Sequence, residues 1–211
     1  ERGFSFMTDG PLDMRMSSSG MSAADVVNSY DEEEIANILY KFGDEHKSRF
    51  IARAIVTARE EKPFETTLEL ANVIAGAVRQ PRKKGKKHTH PATKSFQALR
   101  IFVNDELGEL IRALDAAEKL LVPGGRLVVV SFHSLEDRIV KKFMIERAGL
   151  QSQGSRHMPE VVRDGPPPTF SLLKKSAIKP GKAELERNPR ARSSRLRVAI
   201  RNDAKGGSHE T

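Results

Sequence analysis

Apolar residues recur at helical spacing through the first half of the chain and give way to β-branched runs in the second. Ile35, Ile38, Leu39 and Phe42 fall at i, i+3, i+4 and i+7, which predicts a helix over 31–42. Asp31 to Glu34 lie in its first turn, where the helix dipole favours negative charge, and Gly43 is the expected C-cap. A second helix is predicted over 45–60, with Phe50, Ile51, Ala54, Ile55 and Ala58 on its apolar face. A third opens at Thr66, which has capping-box spacing to Glu69, and continues through Leu70, Ala71, Ile74 and Val78. A long helix is predicted over 94–122, with an apolar stripe of Phe96, Leu99, Val103, Leu107, Leu110, Leu114, Ala117 and Leu121.

After the turn at Pro123-Gly124-Gly125 the texture changes. Arg126 to Phe132 (RLVVVSF) reads as a strand buried on both faces. A helix start at Ser134 with Asp137 follows, continued by Ile139, Val140, Phe143 and Met144. Residues 151–168 are poor in core residues, Thr169 to Leu173 reads as a short strand, and 174–194 is basic and loop-like. Arg195 to Ile200 alternates as a last strand, and the polar tail over 202–211 is expected to be disordered. Residues 1–22 carry no period and read as an irregular apolar loop packed on something. The pattern is α/β: half of a sheet with its helices, the helical stretch over 23–93 being an insertion and 94–201 the sheet-bearing part.

Composition narrows the class. The absence of cysteine excludes disulfides and thiolate chemistry. No run approaches the roughly 20 apolar residues of a membrane helix, so no membrane partner is expected. Aromatics make up 6% with no Trp, which argues against a stacking platform dense in Phe and Tyr. The first residue is Glu1, so the chain is expected to start inside a longer reading frame. Net charge is +8, and its clustering matters more than its size. Arg82, Lys83, Lys84, Lys86 and Lys87 fall within six positions of the loop over 80–93, a concentration that suits RNA phosphates more than mutual repulsion in water.

Several short constellations could carry chemistry. Ser131, His133 and Ser134 sit where a strand meets a helix, the end of an α/β sheet at which ligands bind. The glycines of a nucleophile elbow are missing, so these residues read as pocket lining or helix cap, not as a hydrolase triad. Asp13 and Arg15 flank a turn and make either a local ion pair or part of a pocket. His88 and His90 stand in a cationic loop that repels a divalent ion, and no metal site is expected. Arg190 and Arg192, in a turn before the last strand, are further candidate phosphate contacts. No glycine-rich loop joins a strand to a helix, so no cofactor fingerprint can be placed.

Longer strings go further. Gly3 to Met7 (GFSFM), Asp9 to Met16 (DGPLDMRM), Ser22 to Asn28 (SAADVVN), His90 to Thr93 (HPAT) and Phe96 to Ile101 (FQALRI) occur in this order. Val103-Asn104, Pro123 to Lys141 (PGGRLVVVSFHSLEDRIVK) and Asn188 to Ser194 (NPRARSS) follow. Together they resemble the ribosomal RNA small subunit methyltransferase H, or MraW, family. The resemblance implies a Rossmann-like methyltransferase domain interrupted by a small helical domain. It implies methyl transfer from S-adenosyl-L-methionine to N4 of a cytidine in 16S rRNA, by a cytoplasmic protein acting on the small ribosomal subunit. The family's cofactor loop precedes the position of Glu1, so no cofactor-binding residue is assigned in this chain, which alone is expected to be inactive. Within that implied function Asp13, Arg15, Ser131, His133 and Ser134 are the pocket candidates, with Asp13 as an acceptor for the cytosine amine and Arg15 as a phosphate contact. The rival reading is a non-catalytic RNA-binding or ribosome-assembly protein. A metal-dependent hydrolase built on His88, His90 and His133 is a third, and it lacks carboxylate ligands.

The basic loop yields a measurable expectation. Replacing its five cations with glutamine should flatten the dependence of rRNA affinity on salt, by about 0.7–0.9 in log–log slope for each phosphate no longer neutralised. An unchanged slope in a salt titration would remove the loop from the interface.

Overall fold

The computed structural model describes residues 2–78, 90–150 and 167–203. They form a mixed α/β chain that divides into two compact units, Glu1–Glu106 and Leu107–Thr211.

The first unit is helical: α1 (Ala23–Ser29), α2 (Glu32–Gly43), α3 (Ser48–Glu61), α4 (Thr67–Ala77) and α5 (Thr93–Val103). Three of these start with reciprocal capping boxes, Ser22 with Asp25, Asp31 with Glu34 and Thr66 with Glu69, each satisfying amides that a helix N-terminus leaves open. Ile35, Leu39, Ile51, Ile55, Leu70, Ile74, Phe96 and Leu99 make one continuous core that also buries Leu12 and Met14. The predicted α2–α4 are present, and α1 is an addition. Gly43 is not the left-handed cap; Asp44 is, at φ 48°. Gly43 has a different reason to be glycine: a Cβ there would lie 2.7 Å from the Lys94 carbonyl oxygen, where α5 packs on α2. Phe50 is not on the apolar face of α3 either. That face is Ser48, Ile51, Ala52 and Ile55, and Phe50 stands out of it.

The predicted helix over 94–122 is two helices. α5 stops at Val103, Asp105 turns left-handed at φ 47°, and α6 (Glu106–Leu120) starts anew. Arg100 ties the corner by donating from Nε and Nη2 to the two oxygens of Glu106 at 2.8 and 3.1 Å.

In the second unit β1 (Arg126–Ser131) leads into α7 (Ser134–Arg147), then β2 (Phe170–Leu172), α8 (Lys182–Arg187), a 3-10 turn (Pro189–Ser193) and β3 (Arg195–Arg201). The sheet has the order β1-β3-β2 and is antiparallel throughout, with Arg126 opposite Ile200 and Ser131 opposite Arg195. The basic stretch over 174–194 is thus more ordered than its composition predicts, since it holds α8 and the 3-10 turn. Leu114, Val140, Phe143, Met144, Phe170 and Ala199 form the core, with Leu127 and Val129 packed against it. β1 is not buried on both faces: Val128 and Val130 on its other face are 55% and 51% exposed. A buried polar knot locks the unit. Glu118 accepts from Arg147 Nε at 2.6 Å and from the Thr169 hydroxyl, while Arg201 donates to the carbonyls of Thr169 (2.8 Å) and Glu118 (3.2 Å). Among the described residues no helix is long and apolar enough to cross a membrane.

The α4 cap predicts an acid-sensitive first unit. Glu69 accepts from Lys62 Nζ at 2.5 Å and from the amides of Glu65 and Thr66, which brings its carboxyl from 4.5 down to about 2. A folded-state value below the unfolded one stabilises above the unfolded value and is lost as pH falls through the folded one. Glu69→Gln should therefore flatten the fall in melting temperature between pH 4.5 and 2; an unchanged profile would show that the cap does not carry it.

Candidate active site

Asp13-Met14-Arg15 is held in a conformation that this sequence would not adopt unaided. Met14 is fully buried at φ 63°, a left-handed backbone that an unbranched non-glycine residue enters at a cost. Its amide donates to the Arg2 carbonyl at 2.7 Å, and its carbonyl accepts from Asn104 Nδ2 at 2.8 Å. Asn104 Oδ1 accepts from the Met16 amide at 2.7 Å, and Nδ2 also donates to the Arg100 carbonyl at 2.8 Å. One side chain at the end of α5 thus clamps both sides of the turn. Gly3 lies alongside at φ 69°, where a Cβ would be 2.0 Å from the Pro11 carbonyl oxygen; only glycine fits.

The clamp leaves Asp13 and Arg15 facing each other. Arg15 Nε donates to Asp13 Oδ1 at 2.7 Å and Nη2 to Oδ2 at 3.0 Å, a bidentate pair, and the Arg15 amide also donates to Oδ1 at 3.0 Å. Arg15 Nη1 donates to the Gly20 carbonyl at 3.0 Å. The guanidinium holds the Asp13 carboxyl below the usual carboxylate range. Oδ1 accepts twice and Oδ2 once, so Oδ2 keeps an open acceptor position on a half-buried, ionised group. Arg15 is spent largely on aiming Asp13.

The second unit places Ser131, His133 and Ser134 at the β1–α7 junction. His133, not Ser134, is the N-cap of α7: its Nδ1 accepts from the Glu136 amide at 3.4 Å. Glu136 returns the bond, accepting from the amides of Phe132 (2.8 Å) and His133 (3.2 Å). His133 Nε2 is buried 3.2 Å from Glu136 Oε1 without hydrogen-bond geometry. Burial pushes the Glu136 carboxyl up, and the His133 ring and Phe132 amide more than offset it, so the group lies below its ordinary value. Ser131 is buried, its hydroxyl pinned to the Arg195 carbonyl at 3.4 Å. Asp137, expected to complete the Ser134 cap, instead pairs with Arg197 on β3 at 2.7 and 3.0 Å.

Residues 1–202, which include both constellations, match the family model described as the MraW methylase family. The chain belongs to the MraW methylase family. Among curated relatives, it is 62% identical to the ribosomal RNA small subunit methyltransferase H of Caulobacter vibrioides (strain NA1000 / CB15N), over 97% of this chain and 64% of that protein. It is 56% identical to that of Hyphomonas neptunium, over 97% of the chain and 58% of the relative. With that of Rhodospirillum rubrum it shares 56% identity, over 96% and 62%. The chain therefore spans less than two thirds of the length of these relatives.

Of the remaining candidates in this MraW-family chain, Arg190 and Arg192 are exposed on the 3-10 turn before β3, where they line an open hollow with Leu185, Pro189 and Ser193. Arg82, Lys83, Lys84, Lys86, Lys87 and His88 lie outside the described residues. His90 is exposed; its Nδ1 accepts from the Ala92 amide at 3.2 Å and its ring lies 4.7 Å from that of Phe6. Two residues that matter escape a reading of the sequence. Glu136 has capping-box spacing to His133, but histidine is an unusual cap and the neighbouring Ser134 draws the assignment. Asn104 lies 90 residues from the carbonyl it binds, and no local signal marks it.

Asn104→Ala removes three hydrogen bonds and strands the buried Met14 carbonyl. It should destabilise the protein by about 1–3 kcal/mol in denaturant unfolding. A loss within error of zero would show that the turn holds itself.

Proposed function

We propose that this chain is the C-terminal part of an S-adenosyl-L-methionine-dependent methyltransferase that modifies N4 of a cytidine in 16S rRNA of the small ribosomal subunit, in the cytoplasm. Residues 23–93 form the small helical domain inserted in a Rossmann-like domain, to which 1–22 and 94–201 belong. Family membership over residues 1–202 supports the reaction class, and the relatives carry the name of a small-subunit rRNA methyltransferase. The observation that carries an amine-bearing target is the Asp13 carboxylate, ionised, fixed by Arg15 and open at Oδ2. Such a group is an acceptor only. It pairs with the exocyclic amine of cytosine, which donates two N–H bonds, and repels the carbonyl that uracil carries at the same position.

The amine is a poor nucleophile because its lone pair is conjugated into the ring. An acceptor on one of its hydrogens holds the group in one orientation, which is where positioning contributes to rate. The described residues do not fit the cofactor. At the β1–α7 junction the amides of Phe132 and His133 are taken by Glu136 and the Glu136 amide by His133 Nδ1, so none of these three is open to the cofactor's carboxylate. No residue of the chain is assigned to the cofactor.

In the complete protein, Asp13→Asn should lower methyl transfer from labelled S-adenosyl-L-methionine to unmodified small subunits by about 100-fold or more. Full turnover by the variant would remove Asp13 from the site. Subunit binding without any transfer by the unaltered protein would favour the ribosome-assembly reading.

A further inference from the structure

The corner between α2 and α3 is built unlike the rest of the first unit. Tyr40 and Phe50 are its most exposed aromatic side chains, at 60% and 70%. They stand on either side of the Asp44–Lys47 connection, Tyr40 in the last turn of α2 and Phe50 in the first turn of α3. At about 1.5 Å rise per residue both lie within roughly 6 Å of the corner along their helix axes. Phe50 has no packing role, since the buried face of α3 is complete without it.

The charges of this stretch are sorted. Lys41, Lys47, Arg49 and Arg53 are all exposed. The two acids between Tyr40 and Arg53 are withdrawn: Glu45 is buried, accepting from the Lys47 amide at 2.9 Å, and Asp44 is half-buried. Arg49 and Arg53 stand at i and i+4 on one side of α3 and flank Phe50. The ion pair of Arg53 with Glu32, 3.5 Å between exposed side chains, is too weak to hold it. The corner also abuts the start of α5, where Lys94 donates to the Asp44 carbonyl at 2.8 Å.

We propose that this corner is a contact surface for unpaired RNA, with Tyr40 and Phe50 stacking on exposed bases and Lys41, Lys47, Arg49 and Arg53 holding the flanking phosphates. The inference rests on the reading that the protein works on rRNA. Cations beside rings are the combination that single strands require, since every base has a π-face and every nucleotide a phosphate. A protein partner would need a closed apolar patch, which two exposed rings in a stretch carrying four exposed cations do not supply.

The test uses the complete protein, a labelled 12-nucleotide oligouridylate and an RNA duplex of the same length. Phe50→Ala and Tyr40→Ala should each weaken single-strand binding by about 5- to 100-fold, with the salt slope and duplex affinity unmoved. Phe50→Trp should bind like the parent. Lys47→Gln with Arg49→Gln should lower the salt slope by about 0.7 for each phosphate no longer neutralised. Unchanged affinity for Phe50→Ala, an equal loss on the duplex, or full recovery with Phe50→Leu would each overturn the proposal, the last by showing an apolar contact in place of stacking. Methyl transfer by the parent separates the two readings: if it proceeds while the variants bind normally, this surface alone is wrong, and if it never proceeds, the proposed function fails first.

Discussion

Met14 sits where its backbone prefers not to be, and the Asp13–Arg15 part of the candidate site hangs from that fact. A left-handed residue of this kind costs about 1–3 kcal/mol and persists only where its surroundings over-determine it. Here they do. The side chain fills the core of the first unit, and Arg2 and Asn104 take the amide and carbonyl. The chain before it is pinned by bonds from the Ala23 amide to the Asp13 carbonyl and from the Ala24 amide to the Leu12 carbonyl, at 2.7 and 2.8 Å. The reversal at Met14 is what turns Asp13 and Arg15 onto each other. A relaxed turn would separate them and leave a solvated carboxylate with no fixed aim.

Sequence periodicity finds the helices that carry a clean apolar face and a conventional start. Thr66 with Glu69 is readable because the capping box is local chemistry. Periodicity fails where local signals are ambiguous. The stripe from Phe96 to Leu121 keeps helical phase across Asn104-Asp105, so nothing in the pattern marks the break that Asp105 makes with φ 47°. α8 escapes it because Lys182 to Arg187 contains one large apolar residue, Leu185, and too short a span to show a period. Ser134 is a more usual cap than His133 and lies one position too late. A phenylalanine beside Ile51 looks like core, and only the packing shows which of the two adjacent residues turns inward.

The same contrast runs through the site. Asp13 and Arg15 are close in sequence and can be suspected as a pair, whereas Asn104, which arranges them, is joined to them only by folding. Low aromatic content argues against a dense stacking platform, yet it is a poor guide when two rings are placed at one corner among sorted charges. Recognition responds to local arrangement, and composition averages it away.

Among the described residues β1 pairs on one edge only, with β3, and it presents Val128 and Val130 on its uncovered face. A β-branched edge with open amides and carbonyls is a template for another strand. Such an edge favours association between copies of the chain, an association that rises with concentration. The buried knot of Glu118, Arg147, Thr169 and Arg201 does nothing to prevent it, because none of its members lies on β1.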